Sequence, residues 1–121
     1  MTSLSLKDLP SYLRLKALLE HIDSYRETDS FYLADEKILS DDEIEFICKI
    51  IRKLPNLKQI NLARNQIDDD QLFKLFRALP LTLESLNLSN NKFSDYGVGF
   101  IFQQLTRFKY LRVLYLYGCN C

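Results

Sequence analysis

The sequence predicts a single α/β domain: a short right-handed solenoid of about four parallel strands, with helices on its convex side and a capping helix at its N-terminal end. Three observations predict this fold. One apolar spacing, L-x-x-L-x-L-x-x-N-x-L, recurs in copies that begin at Leu57, Leu83 and Leu111. Segments of helical periodicity lie between the copies. The length of 121 residues suits one domain with one core.

The N-terminal segment is predicted to be an amphipathic helix. Pro10 and Ser11 introduce it. One apolar stripe then follows at helical spacing, formed by Tyr12, Leu15, Leu18, Leu19 and Ile22. The first coil of a solenoid has an open core that another element must cover. We therefore expect residues 1–27 to form a helical cap.

A weaker copy of the frame precedes the three clear ones. Phe31 and Leu33 take the two inward strand positions of this copy. Glu36 stands in the slot of the asparagine, and Ile38 stands in the apolar slot that follows. Residues 28–121 are therefore predicted to form four coils, which start near residues 28, 57, 83 and 111.

Each copy of the frame is predicted to contain a short strand with one buried face. The alternation of period two turns Ile60 and Leu62 inward, so that neighbouring coils share one apolar interior. The turn that leaves each strand has inward backbone groups without ladder partners. We expect Asn65 and Asn91 to bond these groups in neighbouring coils.

Helices are predicted between the strands. Ser40 and Glu43 have the spacing of a capping box, as do Asp68 and Gln71, and Ser94 is the expected cap of the last helix. Glycine weakens the first turn of that last helix; the two glycines are Gly97 and Gly99. Aspartates crowd the helix starts, where the helix dipole favours them, so we interpret them as capping residues and not as metal ligands. They are Asp41, Asp42, Asp68, Asp69, Asp70 and Asp95.

No catalytic or metal-binding constellation is predicted. The spacing of Cys48 and His21 leaves a catalytic Cys–His pair open. However, Cys48 falls in an amphipathic helix, where a small packing residue is the more common outcome. Cys119 and Cys121 take the asparagine slot and the next apolar slot, and two thiols alone make a poor zinc site. Phosphate loops, nucleophile elbows and dinucleotide fingerprints are not found. We expect no enzyme, no cofactor and no metal ion.

Charge and cysteine usage limit the partners and the compartment. Lysine plus arginine number 16, as do aspartate plus glutamate, so no net field attracts nucleic acid or an anionic membrane. Charged residues interrupt the N-terminal apolar residues, which argues against a signal peptide or a membrane span. Three cysteines without framework spacing suit reduced thiols. A cytoplasmic location is expected.

The frame resembles the leucine-rich repeat family, specifically the longer, helix-containing class typified by ribonuclease inhibitor, in which the asparagine slot often holds cysteine. The resemblance covers roughly residues 28–121. It implies a non-catalytic module that binds a protein partner. Residues 79–91, LPLTLESLNLSNN, are also similar to repeats of effector proteins that intracellular bacteria deliver into host cells, which implies the host cytosol as an alternative location.

A second resemblance concerns the N-terminal helix. Residues 9–22, LPSYLRLKALLEHI, are similar to the opening of an F-box, the module that docks repeat proteins onto ubiquitin ligases. This resemblance implies an alternative function as a substrate-recognition subunit of a ubiquitin ligase. About 27 residues precede the first strand, which is short for that whole three-helix module.

Outward strand positions are predicted to form three columns across the coils. The columns are Ser30, Gln59, Ser85 and Val113; Tyr32, Asn61, Asn87 and Tyr115; and Ala34, Ala63, Ser89 and Tyr117. Tyrosine buries a large area at low entropy cost, which favours the aromatic last coil as an anchor. The candidate partner-binding residues are Tyr32, Gln59, Asn61, Asn87, Val113, Tyr115 and Tyr117. The same tyrosines also suit a strand with no partner.

The edge of the last strand is the second predicted binding element. Four strands present roughly 200 Å² in plan, whereas a standard interface takes about 800 Å² per partner. Residues 113–117 should present an open row of backbone donors and acceptors. We expect a partner's strand or a second copy of the chain, giving a homodimer, to pair with this edge.

Overall fold

The computed structural model describes residues 3–5, 11–36 and 39–118. These residues contain five β-strands: β1 (Ser3–Ser5), β2 (Ser30–Tyr32), β3 (Gln59–Asn61), β4 (Ser85–Asn87) and β5 (Val113–Tyr115). They also contain four α-helices: α1 (Ser11–Glu20), α2 (Asp41–Arg52), α3 (Asp69–Ala78) and α4 (Asp95–Gln104). Two 3-10 turns, Ile22–Tyr25 and Leu105–Arg107, follow α1 and α4.

The strands form one parallel sheet in the order β1-β2-β3-β4-β5, and a helix separates each strand from the next. This arrangement confirms the α/β solenoid of parallel strands. The pairs Phe31 with Ile60, Ile60 with Leu86, and Leu86 with Leu114 lie in register, so the frame of the sequence is also the register of the sheet. β1 is an additional strand that the sequence did not predict.

The core lies between the sheet and the helices. Phe31, Ile60 and Leu86 are buried at the middle of their strands. Each helix places apolar residues against them at helical spacing. The buried helix residues include Ile44, Ile47, Ile51, Leu72, Leu75, Phe76 and Ile101. One apolar cluster therefore runs through all the coils.

Both predicted capping boxes are present. The Ser40 hydroxyl accepts the backbone N–H of Glu43 at 3.2 Å, and the Glu43 carboxylate accepts the N–H of Ser40 at 2.8 Å. Asp68 and Gln71 make the same pair of bonds at α3, at 2.9 and 3.2 Å. Ser94 caps α4 by accepting the N–H of Tyr96. These bonds satisfy N–H groups that no helix can satisfy internally.

The asparagine slot links neighbouring coils as predicted. Asn65 donates from its side-chain amide to the carbonyl oxygens of Leu33 (2.7 Å) and Leu62 (3.0 Å). Its side-chain oxygen accepts the N–H of Glu36 at 2.7 Å. Since Asn65 is fully buried, these bonds replace the water that the turn would otherwise need.

The helix α1 packs against α2 and closes the N-terminal side of the core. Leu15, Leu18 and Ile22 of its apolar stripe are buried, whereas Tyr12 stays at the rim. The buried Arg14 forms an ion pair with Glu36, the residue that takes the asparagine slot of the first coil. The stripe therefore covers the first coil, as expected of a capping element.

The residue before each asparagine slot has a left-handed backbone. The φ angles are 64° at Asp35, 59° at Arg64, 58° at Asn90 and 73° at Gly118. At Gly118 a Cβ atom would lie 2.1 Å from the side-chain oxygen of Asn90. Both the left-handed backbone and the lack of space for a side chain therefore favour glycine at this position. The sharp turn sets where the exposed face of the sheet ends.

The four α-helices of the described ranges are 10 to 12 residues long. Among the described ranges, none has the length and apolar character needed to cross a bilayer.

Candidate protein-interaction surface

The strand face, defined here as the outward side chains of β2 to β5, brings most of the predicted contact residues together. Ser30, Gln59, Ser85 and Val113 align in one row, and Tyr32, Asn61, Asn87 and Tyr115 align in the other. Tyr117 lies two residues beyond β5. The first two of the three columns predicted from the sequence therefore match the register of the sheet.

The aromatic residues gather at the β5 end of the strand face. Val113 is 39% exposed, Tyr115 42% and Tyr117 66%. The rings of Tyr115 and Tyr117 pack edge to face, with their centroids 6.2 Å apart and their planes at 80°. Edge-to-face pairing is a preferred aromatic geometry. The pair forms a small apolar surface with two hydroxyl groups.

The other end of the strand face is polar and internally bonded. The Tyr32 hydroxyl donates to the Gln59 side-chain oxygen at 3.0 Å, across β2 and β3. Asn61 accepts the backbone N–H of Ala63 at 3.0 Å. Asn87 does the same one coil later with Ser89, also at 3.0 Å. The side-chain oxygens of both asparagines are thus engaged within the protein.

The prediction that the third column faces outward is wrong at two positions. Ala63 and Ser89 are each only 1% exposed. The turns of neighbouring coils stack over them, with the N–H of Asp35 bonded to Ala63 O and the N–H of Arg64 bonded to Ser89 O, both at 3.0 Å. Ser30, predicted to face outward in the first column, is also buried, beside β1. The strand face is therefore narrower than the sequence indicated.

An exposed ion pair borders the strand face at the turns. Arg64 donates to the carboxylate of Asp35, with Nη2 to Oδ2 at 2.9 Å. This hydrogen bond and the charge of Asp35 raise the pKa of Arg64. The two residues hold the same frame position in adjacent coils. Their opposite charges could therefore have predicted this ion pair, which the sequence analysis missed.

Cys48 belongs to the apolar core of the described ranges. Cys48 is buried, its thiol donates to the Lys74 carbonyl at 3.7 Å, and burial raises its pKa. These contacts confirm Cys48 as a packing residue. Among the described residues, no cluster of three or more His, Cys, Asp or Glu side chains could hold a metal ion. Cys119, Cys121 and Ile38, which the sequence analysis also interpreted, lie outside the described residues.

The chain is similar to known proteins in its repeats and in its fold. The family model described as Leucine Rich repeat matches residues 53–75 and 80–102. A search of the curated proteins finds no match. The tropomodulin C-terminal domain of Caenorhabditis elegans superposes with a TM-score of 0.70 at 12% identity, covering 86% of this chain and 64% of that one.

A second solved structure, the actin-binding site 2 of leiomodin-1, superposes with a TM-score of 0.73 at 19% identity, covering 88% of this chain and 66% of that one. This chain thus spans just under two thirds of each of the two domains. At such low identities the likeness shows a shared fold.

Proposed function

We propose that this leucine-rich repeat protein binds another protein, without catalysis, through its strand face and the outer edge of β5. One observation carries the proposal: Val113, Tyr115 and Tyr117 are exposed together at one end of an otherwise polar face. Tyrosine contributes large contact area, few rotatable bonds and a hydroxyl that tolerates water, which makes it frequent among the residues that dominate binding energy.

The polar part of the strand face supports a role in specificity. Gln59, Asn61 and Asn87 lie in the two rows that lead to Tyr115. Tyr32 is bonded to Gln59, so both side chains are already ordered before a partner arrives. Ordered groups lose less entropy on binding. We propose that these residues form the rim and the tyrosines form the anchor.

The size of the strand face supports a contribution from the β5 edge. The four strands of the strand face, spaced about 4.8 Å apart with about 7 Å exposed along each, give roughly 100 Å² in plan. A standard interface needs about 800 Å² per partner. Within the described ranges β5 pairs with β4 alone. Leu114 within β5 and Leu116 just after it are only partly buried. A partner strand added to β5 would bury this apolar surface.

A second copy of the chain remains one candidate for that strand. Light scattering over a wide concentration range tests it directly. A mass that doubles, and returns to the monomer value on alanine substitution of Val113, supports pairing through β5. A mass that stays at the monomer value across the series excludes self-pairing through β5.

The two alternative functions make different demands on the surface. An F-box-like subunit would need its N-terminal helix available to an adaptor, but Leu15 and Leu18 of α1 are buried in the core. That burial favours the capping role of α1. A delivered bacterial effector would use the same strand face on a host protein. Whether this chain acts in its own cytosol or in that of a host therefore stays a prediction.

Actin is one partner to test, since the leiomodin-1 domain is named as an actin-binding site. The 19% identity supports a common fold and does not by itself extend that binding to this chain. Co-sedimentation with filaments, alongside a monomer-binding assay, gives a direct answer for this candidate.

Affinity capture tests the proposed surface as a whole. The bait proteins are the wild type, the double variant Tyr115→Ala/Tyr117→Ala, and the control Tyr110→Ala, which removes a tyrosine of similar exposure from the loop before β5. Bound proteins that Tyr110→Ala retains and the double variant loses are the expected result. An unchanged thermal melt shows that the double variant is folded. If this folded variant retained every bound protein, the proposal would fail.

A further inference from the structure

The outer face of α4 is unusually apolar for a helix on the convex side of a solenoid. Its sequence, DYGVGFIFQQ, has one charged residue, Asp95, whereas α2 and α3 carry several. Tyr96 of α4 is 86% exposed and Phe102 is 58% exposed. A helix packed on a core normally turns charged and polar residues to water. Exposed aromatic residues therefore require another explanation here.

A groove runs between α3 and α4 on this side of the protein, and we call it the convex groove. Phe73 and Phe100 form its floor, with ring centroids 4.7 Å apart in an edge-to-face arrangement. One part, of about 550 Å³, lies between Phe73, Tyr96 and Gly99. The adjoining part, of about 400 Å³, lies between Phe73, Arg77 and Arg107. These volumes are large enough for side chains of a peptide.

Gly99 keeps the first part of the groove open. A Cβ atom at Gly99 would have no neighbour within 4 Å among the residues that the structure describes. At Gly97, by contrast, a Cβ atom would lie 2.2 Å from Asp69 Oδ1, so packing explains that glycine. Glycine weakens a helix relative to alanine. Packing against the described residues gives no reason for glycine at position 99, whereas an occupied groove does.

The second part of the groove is cationic. In the described part of the chain, neither Arg77 nor Arg107 forms an ion pair. Arg107 donates to the Gln104 side-chain oxygen at 2.6 Å and stacks over the Phe108 ring at 5.4 Å, which holds its guanidinium in place. Asp95 lies at the opposite end. The charges thus differ along the groove, and a carboxylate fits only the arginine end.

We propose that the convex groove binds an acidic peptide segment that carries a leucine or phenylalanine side chain. The apolar side chain enters beside Gly99, against Phe73 and Phe100, and the carboxylates of the peptide meet Arg77 and Arg107. The groove lies on the helical side of the solenoid, so this site is separate from the strand face. Binding at the convex groove therefore does not require binding at the strand face.

Fluorescence anisotropy with three labelled peptides tests the chemistry of the site. The probes are Glu-Glu-Leu-Phe-Glu-Glu, its charge-reversed form Lys-Lys-Leu-Phe-Lys-Lys, and Glu-Glu-Ala-Ala-Glu-Glu, which lacks the apolar side chains. The first should bind at least about tenfold more tightly than the other two, since each loses one of the two complementary features. Equal binding of all three, or no binding of the first, would overturn the proposal.

Two groove variants test the location. Gly99→Leu fills the first part and leaves the arginines in place, and Arg77→Gln/Arg107→Gln removes the cations. Each variant should bind the first peptide about tenfold or more weakly than the wild type does. The matched control Arg26→Gln/Arg52→Gln removes the same net charge elsewhere and should bind as the wild type does. Wild-type affinity in folded Gly99→Leu, or an equal loss in the control, would refute the assignment.

Discussion

The side-chain oxygen of Asn91 accepts the backbone N–H of Asn65 at 3.1 Å, so one coil satisfies the turn of the coil before it. The same oxygen accepts the N–H of Ile67 at 2.9 Å. The amide of Asn91 donates to the carbonyl oxygens of Leu62 (3.0 Å) and Leu88 (2.9 Å). Asn65 repeats this role one coil earlier. The coils are thus joined by buried side-chain bonds as well as by the strand ladder.

Asn91→Ala should be among the most destabilising single changes in the protein. It leaves several buried backbone groups without partners, and each unsatisfied group costs about 1 to 3 kcal/mol. We expect a loss of at least about 3 kcal/mol in the free energy of unfolding, measured by urea denaturation. Asn56→Ala, which removes an exposed asparagine, is the control and should change stability by less than about 0.5 kcal/mol. Similar small losses in both variants would contradict the role of Asn91.

The two glycines of α4 should respond in opposite directions to alanine. At Gly97 the new Cβ atom would displace the Asp69 carboxylate, which accepts the N–H and the hydroxyl of Ser94. Gly97→Ala should destabilise by about 1 to 3 kcal/mol. Gly99→Ala enters open space and should stabilise by about 0.5 to 1 kcal/mol, because alanine is the better helix former. Thermal melts that shift in the same direction for both would contradict the packing at α4.

Ser89→Ala should stabilise the protein. The Ser89 hydroxyl is buried and has no hydrogen-bond partner among the described residues. A buried hydroxyl without a partner costs about 1 to 3 kcal/mol, and the equivalent residue of the preceding coil is already an alanine, Ala63. We expect a gain of about 1 kcal/mol or more in urea unfolding. The reverse change, Ala63→Ser, is the matched control and should destabilise.

Cys48 should make stability depend on alkaline pH. Burial raises the pKa of this thiol in the folded state, so the folded protein binds its proton more tightly than the unfolded chain does. The stabilising contribution is complete below the unfolded pKa of about 8.5 and is lost as pH rises through the higher folded value. Urea unfolding of wild type and Cys48→Ala from pH 7 to pH 10 measures it, in a Cys119→Ser/Cys121→Ser background.

Above about pH 8.5 the unfolding free energy of the wild type should fall relative to that of Cys48→Ala. Other groups titrate in the same range, but they are common to both proteins. A difference that stayed constant across the series would show that the Cys48 thiol keeps its ordinary pKa.

Features that depend on spacing within one coil could be predicted from the sequence. The inward positions Ile60 and Leu62, the asparagine slots and both capping boxes are examples. Each results from a local period or from a bond between residues three apart, so the information lies in a few consecutive letters. The register of the sheet followed as well, because identical coils can stack only in step.

Contacts between coils could not be read in that way. β1 lies outside the four predicted copies of the frame, and its pairing with β2 specifies it as a strand. The burial of Ala63 and Ser89 depends on how closely successive turns stack. The ion pair of Arg14 with Glu36 joins α1 to the turn after β2, which are far apart in the sequence.

The amino-acid sequence therefore determined the coil, its strand, its helix and its buried slots, since these arise from short-range periodicity and local hydrogen bonds. Tertiary structure alone decided which outward residues stay accessible and where the aromatic residues of α3 and α4 leave a groove. Accessibility is a property of distances between coils. Such distances are set by the packing of side chains far apart in the chain.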